Sequence, residues 1–272
     1  MMEVFEGFML EHRDVIWSVK GCYHPDGYAV ATPRYFQGRK VKTLREGMEI
    51  VRTYFPSYLR HVSEIGFEVP LVPLRESKVL NPFTKRVDDK LLREFLAFFR
   101  NTGVTGSYLY LGEGKDFDLL STNLENYQVL AELRRRRVTT SLDELNPTEV
   151  EGLNPQDFVN LKLHRVLEGK FKGRPYTFKI VECEDFGEVT HTERFDNVLR
   201  VEKALKPFSL PAKYLASEGI VLTSFRTRFT EIPEGTVLRV RGFLLHRRGF
   251  LDLDLDLAKE VKILEFGKGS AT

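Results

Sequence analysis

Hydrophobic and polar positions change their period several times along the chain, and each change marks an element. FMLEHRDVIWSVKG and GYAVATPRYF are rich in β-branched and aromatic residues and flank CYHPDG, whose Pro-Asp-Gly is turn chemistry, so a β-hairpin is expected. TLREGMEIVRTYF repeats apolar residues at Leu44, Met48, Val51 and Phe55, the spacing of a helix that Pro56 stops. FEVPLVPLRES carries too many prolines for a central strand and reads as an extended connector. VDDKLLREFLAFFRN has acids at its start and a wide apolar face from Leu91 to Phe99, which predicts a second helix.

TGSYLYLGEGKDFDLLS, residues 105 to 121, comes next, followed by TNLENYQVLAELRRRR, a helical pattern with Thr122 or Asn123 as its N-cap. The order expected here is helix, strand, turn, strand, helix. SLDELNPTEVEGL and NPQDFVNLKLHRVLEG predict further helices, and GRPYTFKIVECED a strand. Beyond residue 186 the pattern becomes short strands and turns, among them NVLRVEKAL, GIVLTSFRTRF, VLRVRGFLLH, FLDLDLDL and EVKILEF. These predict a small β-rich, barrel-like domain. The expected class is α+β: residues 1–75 an N-terminal β-hairpin and helix region, 76–185 a mixed-sheet core flanked by helices, 186–272 the β-rich domain.

Composition changes this picture in few places. Over 272 residues, 42% hydrophobic content is enough to build a core. The 41 basic and 39 acidic side chains leave a net charge of +2, which gives no support for a protein that coats polyanions and leaves room for a local basic face. Cys22 and Cys183 lie far apart with no metal-ligand spacing around them, so neither a disulfide nor a zinc site is expected and a reduced cytoplasmic setting is the default. The N-terminus lacks the basic and apolar regions of a signal peptide, and no apolar run reaches the ~18 to 20 residues of a spanning helix, so no membrane partner is expected. Charged residues at 29%, with few Gln and Cys, are the bias of heat-adapted proteins.

The candidate chemistry lies in KDFDLL, where alternation along a strand places Asp116 and Asp118 on one face, roughly 6 to 7 Å apart. Paired carboxylates suit hard divalent ions that bridge protein to substrate phosphates. Gly106 lets the backbone approach a ligand closely, and Ser107 adds a hydroxyl donor. The same spacing also suits a solvent-facing strand edge. FLDLDLDLAK shares it, and there Leu251, Leu253, Leu255 and Leu257 predict a buried face with Asp252, Asp254 and Asp256 on the wet one.

Gly-Ser, a short spacer and Asp-hydrophobic-Asp-hydrophobic after an apolar helix resemble the signature of the DNA polymerase beta-type nucleotidyltransferase superfamily, over about residues 88 to 137. More narrowly, VTGSYLYLGEGKDFDLL, together with PFSLPAKY and GTVLRVRGFL, resembles an archaeal group of predicted nucleotidyltransferases. The resemblance implies a nucleotidyltransferase-like core in which Gly106 and Ser107, with Lys115, contact the nucleotide and Asp116 and Asp118 bind Mg²⁺ or Mn²⁺. The implied reaction moves a nucleoside monophosphate from a nucleoside triphosphate to an acceptor hydroxyl. The superfamily adds a third carboxylate from a neighbouring strand, which helps deprotonate that hydroxyl. YTFKIVECED is the strand expected to supply it, with Glu182 the first candidate and Glu184 the second. Arg134, Arg135, Arg136 and Arg137 suit either a nucleic-acid backbone or the negative end of a helix dipole. Without transfer chemistry, the same fold reads as a module that binds RNA or a protein partner.

Overall fold

The computed structural model describes residues 3–142 and 155–268. β1 (Met9–His12) and β2 (Val15–Val19) form a hairpin around Arg13 and Asp14, whose φ values of 49° and 57° give the turn that follows strand twist. The stretch expected to be one strand is therefore two. β3 (Tyr28–Phe36) pairs with β2 across CYHPDG, as expected, and leads into β4 (Arg39–Lys40). α1 (Leu44–Tyr54) is the helix its spacing predicts, with the Thr43 hydroxyl accepting from the Glu46 N–H at 3.1 Å. β5 (Leu59–Val62), β6 (Phe67–Pro73) and β7 (Lys78–Leu80) complete a sheet ordered β5-β6-β3-β2-β1-β7, with β4 on β3.

β6 corrects the expectation of a connector. It pairs with β5 up to Pro70 and with β3 from Leu71 to Pro73, so each proline ends a ladder and neither removes a donor from the middle of one.

α2 (Lys90–Leu96) is shorter than its apolar run and is capped by the Asp89 carboxylate, which accepts from the Leu92 N–H. After it come β8 (Thr102–Val104), α3 (Gly106–Leu111), β9 (Phe117–Ser121), α4 (Asn126–Arg135) and β10 (Thr139–Thr140). The segment SYLYL is thus helix where a strand was expected. Glu125 precedes α4 in place of Thr122 or Asn123, although the Asn123 side chain still accepts from the Glu125 N–H. The helix expected over SLDELNPTEVEGL falls almost wholly outside the described residues. α5 (Pro155–His164), β11 (Glu168–Phe171) and β12 (Arg174–Ile180) follow. The second sheet runs β10-β11-β12-β9-β8; β9 and β12 are parallel and every other pair is antiparallel.

β13 (Val189–Lys206), β14 (Ala212–Ala216), β15 (Ile220–Ser224), β16 (Val237–Arg247), β17 (Leu251–Asp254) and β18 (Glu260–Glu265) form the third sheet. β13 pairs through residues 189–200 with β16 and through 201–206 with β14, so the pairings run from β13 through β14, β15, β17 and β16 back to β13. The chain is α+β with three sheets.

Alternation on the second sheet decides where the site sits. Phe117 and Leu119 of β9, with Tyr176, Phe178 and Ile180 of β12, pack beneath α2 and α4. Leu120 and Val181 point the other way, into the core of the first sheet beside Phe8, Leu10 and Trp17. Asp118 shares that second face, between the two sheets. Across the same boundary Cys22, in the turn before β3, and Cys183, just past β12, form a disulfide with Cα atoms 5.6 Å apart. This corrects the reading of two unrelated thiols: the stacking of sheets joins positions 161 residues apart in sequence.

Candidate functional site

β9 carries the aspartate pair out of a buried strand. Phe117, Leu119 and Leu120 are fully buried, Asp118 is partly covered, and Asp116, just before the strand, is exposed. Gly106 begins α3 at φ +61° and lies directly against Asp118: a Cβ at position 106 would stand 2.0 Å from the Asp118 Oδ2. No residue with a side chain could occupy that position while the carboxylate stays where it is. Ser107 turns the other way, toward the loop, where a Cβ on Gly114 would meet its Oγ at 2.1 Å. Two glycines thus fit the short helix and its loop around one carboxylate and one hydroxyl.

The loop between α3 and β9 is tied down from below. Arg174, at the start of β12, donates to the carbonyls of Gly114 at 2.7 Å and Lys115 at 3.0 Å and to the Tyr108 hydroxyl at 2.9 Å. Tyr108 in turn donates to Asp89 at 2.7 Å, and the Arg174 guanidinium lies over the Phe117 ring. Lys115 itself is exposed beside Asp116.

Around Asp118 the charges are mostly positive. Burial pushes its carboxyl up, Lys179, Arg34 and Lys40 pull it down, and Asp116 pushes it up again, with a raised value as the outcome. Asp116 thus acts on Asp118 as a neighbouring like charge. Tyr35 also feels Asp118, and its ring lies 4.9 Å from that of Tyr110, a half-exposed aromatic on α3.

The structure does not bring Glu182 to this site. In the parallel register of β9 and β12, Asp118 faces Thr177, so Thr177 and Lys179 share its side of the sheet. Glu182, of the opposite parity, lies past the strand end; its N–H donates to Leu210 O at 3.0 Å and its carboxylate lies 3.7 Å from Lys206. Glu184 pairs with Lys213 at 2.6 Å and Lys206 at 3.4 Å. Where a third carboxylate was expected there is a lysine. Lys179 reaches past Asp118 to Glu6, 3.2 Å away and 3% exposed. Burial pushes the Glu6 carboxyl up, but Lys179, Lys20 and the Gly21 N–H outweigh it and hold the group below its ordinary value.

The arginine run divides. Arg134 is half-buried and holds its own fold, donating to Glu168 O at 2.7 Å, Arg165 O at 3.3 Å and the Tyr176 hydroxyl at 3.2 Å. Arg135 pairs with Glu132 at 2.6 Å, and Arg136 and Arg137 are exposed at the end of α4.

A cavity of about 580 Å³ opens beside Glu6 and Arg34, between the first and third sheets. Arg34, Lys20, Arg226 and Glu6 line it together with Asp252, Asp254 and Asp256. Leu251, Leu253 and Leu255 pack into the third-sheet core as their alternation predicts. The aspartate side is not wet surface, however: Asp252 is 1% exposed and accepts from Thr223 at 2.6 Å and Arg247 at 2.8 Å. Asp256 accepts from Ser224 at 2.6 Å and from the Phe225 N–H at 2.7 Å. Asp254, facing the cavity, is pushed well above the ordinary carboxylate range by burial and by the charges of Asp256 and Asp252. Lys20, itself exposed, lines the same space, where desolvation by the cavity wall pulls its ammonium down to about 8 against the attraction of Glu6.

Arg34, Lys40, Lys179, Glu6 and Tyr110 were not singled out from the sequence. Parity along TFKIV, once the parallel register with β9 is known, identifies Lys179; nothing local marks the others. No helix among the described residues is long and apolar enough to cross a membrane. Comparison with protein-family models, curated proteins and solved structures finds no match to this chain.

Proposed function

We propose that the surface around Gly106, Asp116 and Asp118 is a nucleoside triphosphate site of the nucleotidyltransferase type, and that the second sheet with α2, α3 and α4 is a nucleotidyltransferase-like core. The observation that carries this reading is the contact between Gly106 and Asp118. A strand, a glycine at positive φ, a short helix and a second strand place a bare backbone against one of two neighbouring carboxylates.

The residues fit a hard divalent ion. Asp116 and Asp118 are neighbouring oxygen donors of like charge, the bare backbone at Gly106 lies directly against Asp118, and a cation would offset both the like charge and the desolvation of Asp118. Mg²⁺ or Mn²⁺ held there would neutralise charge on the phosphates. Lys179, Arg34 and Lys40 surround the same carboxylate and supply the positive field a triphosphate requires. Tyr110, whose half-exposed ring lies tilted at 47° against that of Tyr35, offers a face for the base.

The reaction proposed is transfer to an acceptor hydroxyl, with RNA and protein as the acceptor classes to test, and the ring of strand pairings in the third sheet supports a barrel-like domain. Lys179 in the place of a third carboxylate favours a second reading, in which the same site holds nucleotide without transferring it. Calorimetry with each nucleoside triphosphate and Mg²⁺ tests the shared claim. Binding is expected in the native chain and absent in the Asp116→Asn, Asp118→Asn double variant; equal binding in both would refute it. Release of pyrophosphate in the presence of acceptor RNA or protein separates transfer from binding alone.

A further inference from the structure

A second cluster of ligand-type side chains lies on the third sheet, away from the aspartate pair. It is made by an irregularity in the β13–β16 ladder. Val189 faces Arg247, but the next registered pair is His191 with His246, so Thr190 is an extra residue on β13. In an uninterrupted ladder Thr190 would face His246, and the His191 side chain would leave by the opposite surface. The inserted residue reverses this and sets both imidazoles on one face. Thr190 fixes the irregularity by donating from its hydroxyl to the His246 carbonyl at 3.0 Å. Glu193, two residues beyond His191, shares its face and reaches diagonally across to His246.

The three side chains converge. One donor atom from each of His191, Glu193 and His246 lies within 4.8 Å of the other two, and the His246 Nε2 is 3.0 Å from the Glu193 Oε1. The imidazole rings are 5.2 Å apart. Bonds of 2.0 to 2.1 Å at tetrahedral angles require donor atoms about 3.3 to 3.4 Å apart, a separation that lies between the 3.0 Å of His246 and Glu193 and the 4.8 Å that bounds the group. Among the described residues, no other group of three His, Cys, Asp or Glu side chains brings its donor atoms this close.

We propose that His191, Glu193 and His246 bind one borderline divalent transition-metal ion, Zn²⁺ by the preference of two imidazoles and a carboxylate, with the remaining position open to water. Glu193 and His246 keep 49% and 34% of their side chains exposed, so an ion has direct access and cannot be closed in by protein. The site differs in kind from Asp116 and Asp118, whose oxygen donors select hard ions. The two sites are therefore separable by metal and by mutation.

The test uses the full chain without a polyhistidine tag, stripped with chelator and titrated with Zn²⁺ and separately with Mg²⁺ by calorimetry. One equivalent of Zn²⁺ is expected, unaffected by excess Mg²⁺ and retained by the Asp116→Asn, Asp118→Asn variant. His191→Ala and His246→Ala, both at surface positions, are each expected to weaken it at least 10-fold while leaving the circular dichroism spectrum unchanged. Failure of the native chain to bind Zn²⁺, or Zn²⁺ binding of equal strength in both histidine variants, would overturn the proposal.

Discussion

Gly106 and Asp118 are in contact across the gap between α3 and β9, with no space for a methyl group between the glycine Cα and the Asp118 carboxylate. Gly106→Ala must therefore displace the carboxylate, and it also places an L-residue at φ +61°. The left-handed conformation alone costs roughly 1 to 2 kcal/mol. Denaturant unfolding should show a loss of that size, and Mg²⁺-dependent nucleotide affinity should fall at least tenfold. A variant that loses stability but binds nucleotide normally would separate Gly106 from the site.

Lys179 stands between Glu6 and Asp118, and its removal leaves a carboxylate that is 3% exposed without its nearest cation. Breaking a buried pair at one end costs roughly 3 to 5 kcal/mol, and the 26% exposure of the Lys179 side chain places Lys179→Met near the lower end. Glu6→Gln in the same chain should restore most of the loss. The pH dependence has a definite sign. Because the Glu6 carboxyl is held below its ordinary 4.5, its contribution is present above that pH and is lost as pH falls through the folded-state value. Urea midpoints of the native chain should fall through this acid range more steeply than those of the double variant.

What could be read from the sequence was local. Gly106, Ser107, Asp116 and Asp118 fall within thirteen residues, so their proximity needs only one helix, one loop and one strand. Lys179 and Arg34 arrive through sheet pairing and sheet stacking, which no local pattern encodes. Glu182 illustrates the difference. Alternation along YTFKIVECED is real, but only the register with β9 decides which parity faces Asp118, and the residues that do so are Thr177 and Lys179. Leu251, Leu253 and Leu255 of FLDLDLDLAK were placed correctly for the same local reason, whereas Leu257 lines the cavity. Their aspartate neighbours were assigned to water because a polar strand face looks the same whether solvent or another sheet covers it.

Asp254 gives that cavity a measurable signature. Its carboxyl is raised well above 3.8, so the folded state holds the proton more tightly than the unfolded chain does. The penalty is absent below the unfolded value and grows as pH rises through the folded one. Asp254→Asn, which removes the charge and keeps an oxygen to accept from the Asp256 N–H, should stabilise the protein at neutral pH by roughly 0.5 to 2 kcal/mol. The gain should vanish in acid. Thermal melts at neutral pH and near pH 3 check both halves, and a loss of stability at neutral pH would show that the charged form serves the fold.

The disulfide between Cys22 and Cys183 should have a large effect on stability because of what it encloses. It joins the first sheet to the end of β12 across 161 residues of chain, and in the chain-entropy account closing so long a loop in the unfolded state is worth up to about 5 kcal/mol. Cys22→Ser with Cys183→Ser is therefore expected to lower the unfolding free energy by several kcal/mol, and a reductant should do the same to the native chain. The double serine variant should be insensitive to reductant. The effect should also extend to the cavity: Cys22 lines it, and Glu184, Asp185 and Phe186, immediately after Cys183, form part of its wall. Hydrogen exchange in the reduced protein should rise first at residues 184–187 and around the turn at Cys22, ahead of β9 and β12, whose ladder holds without the crosslink. Uniform exchange across all of these segments would mean that the bond stabilises the chain globally and does not support the cavity wall in particular.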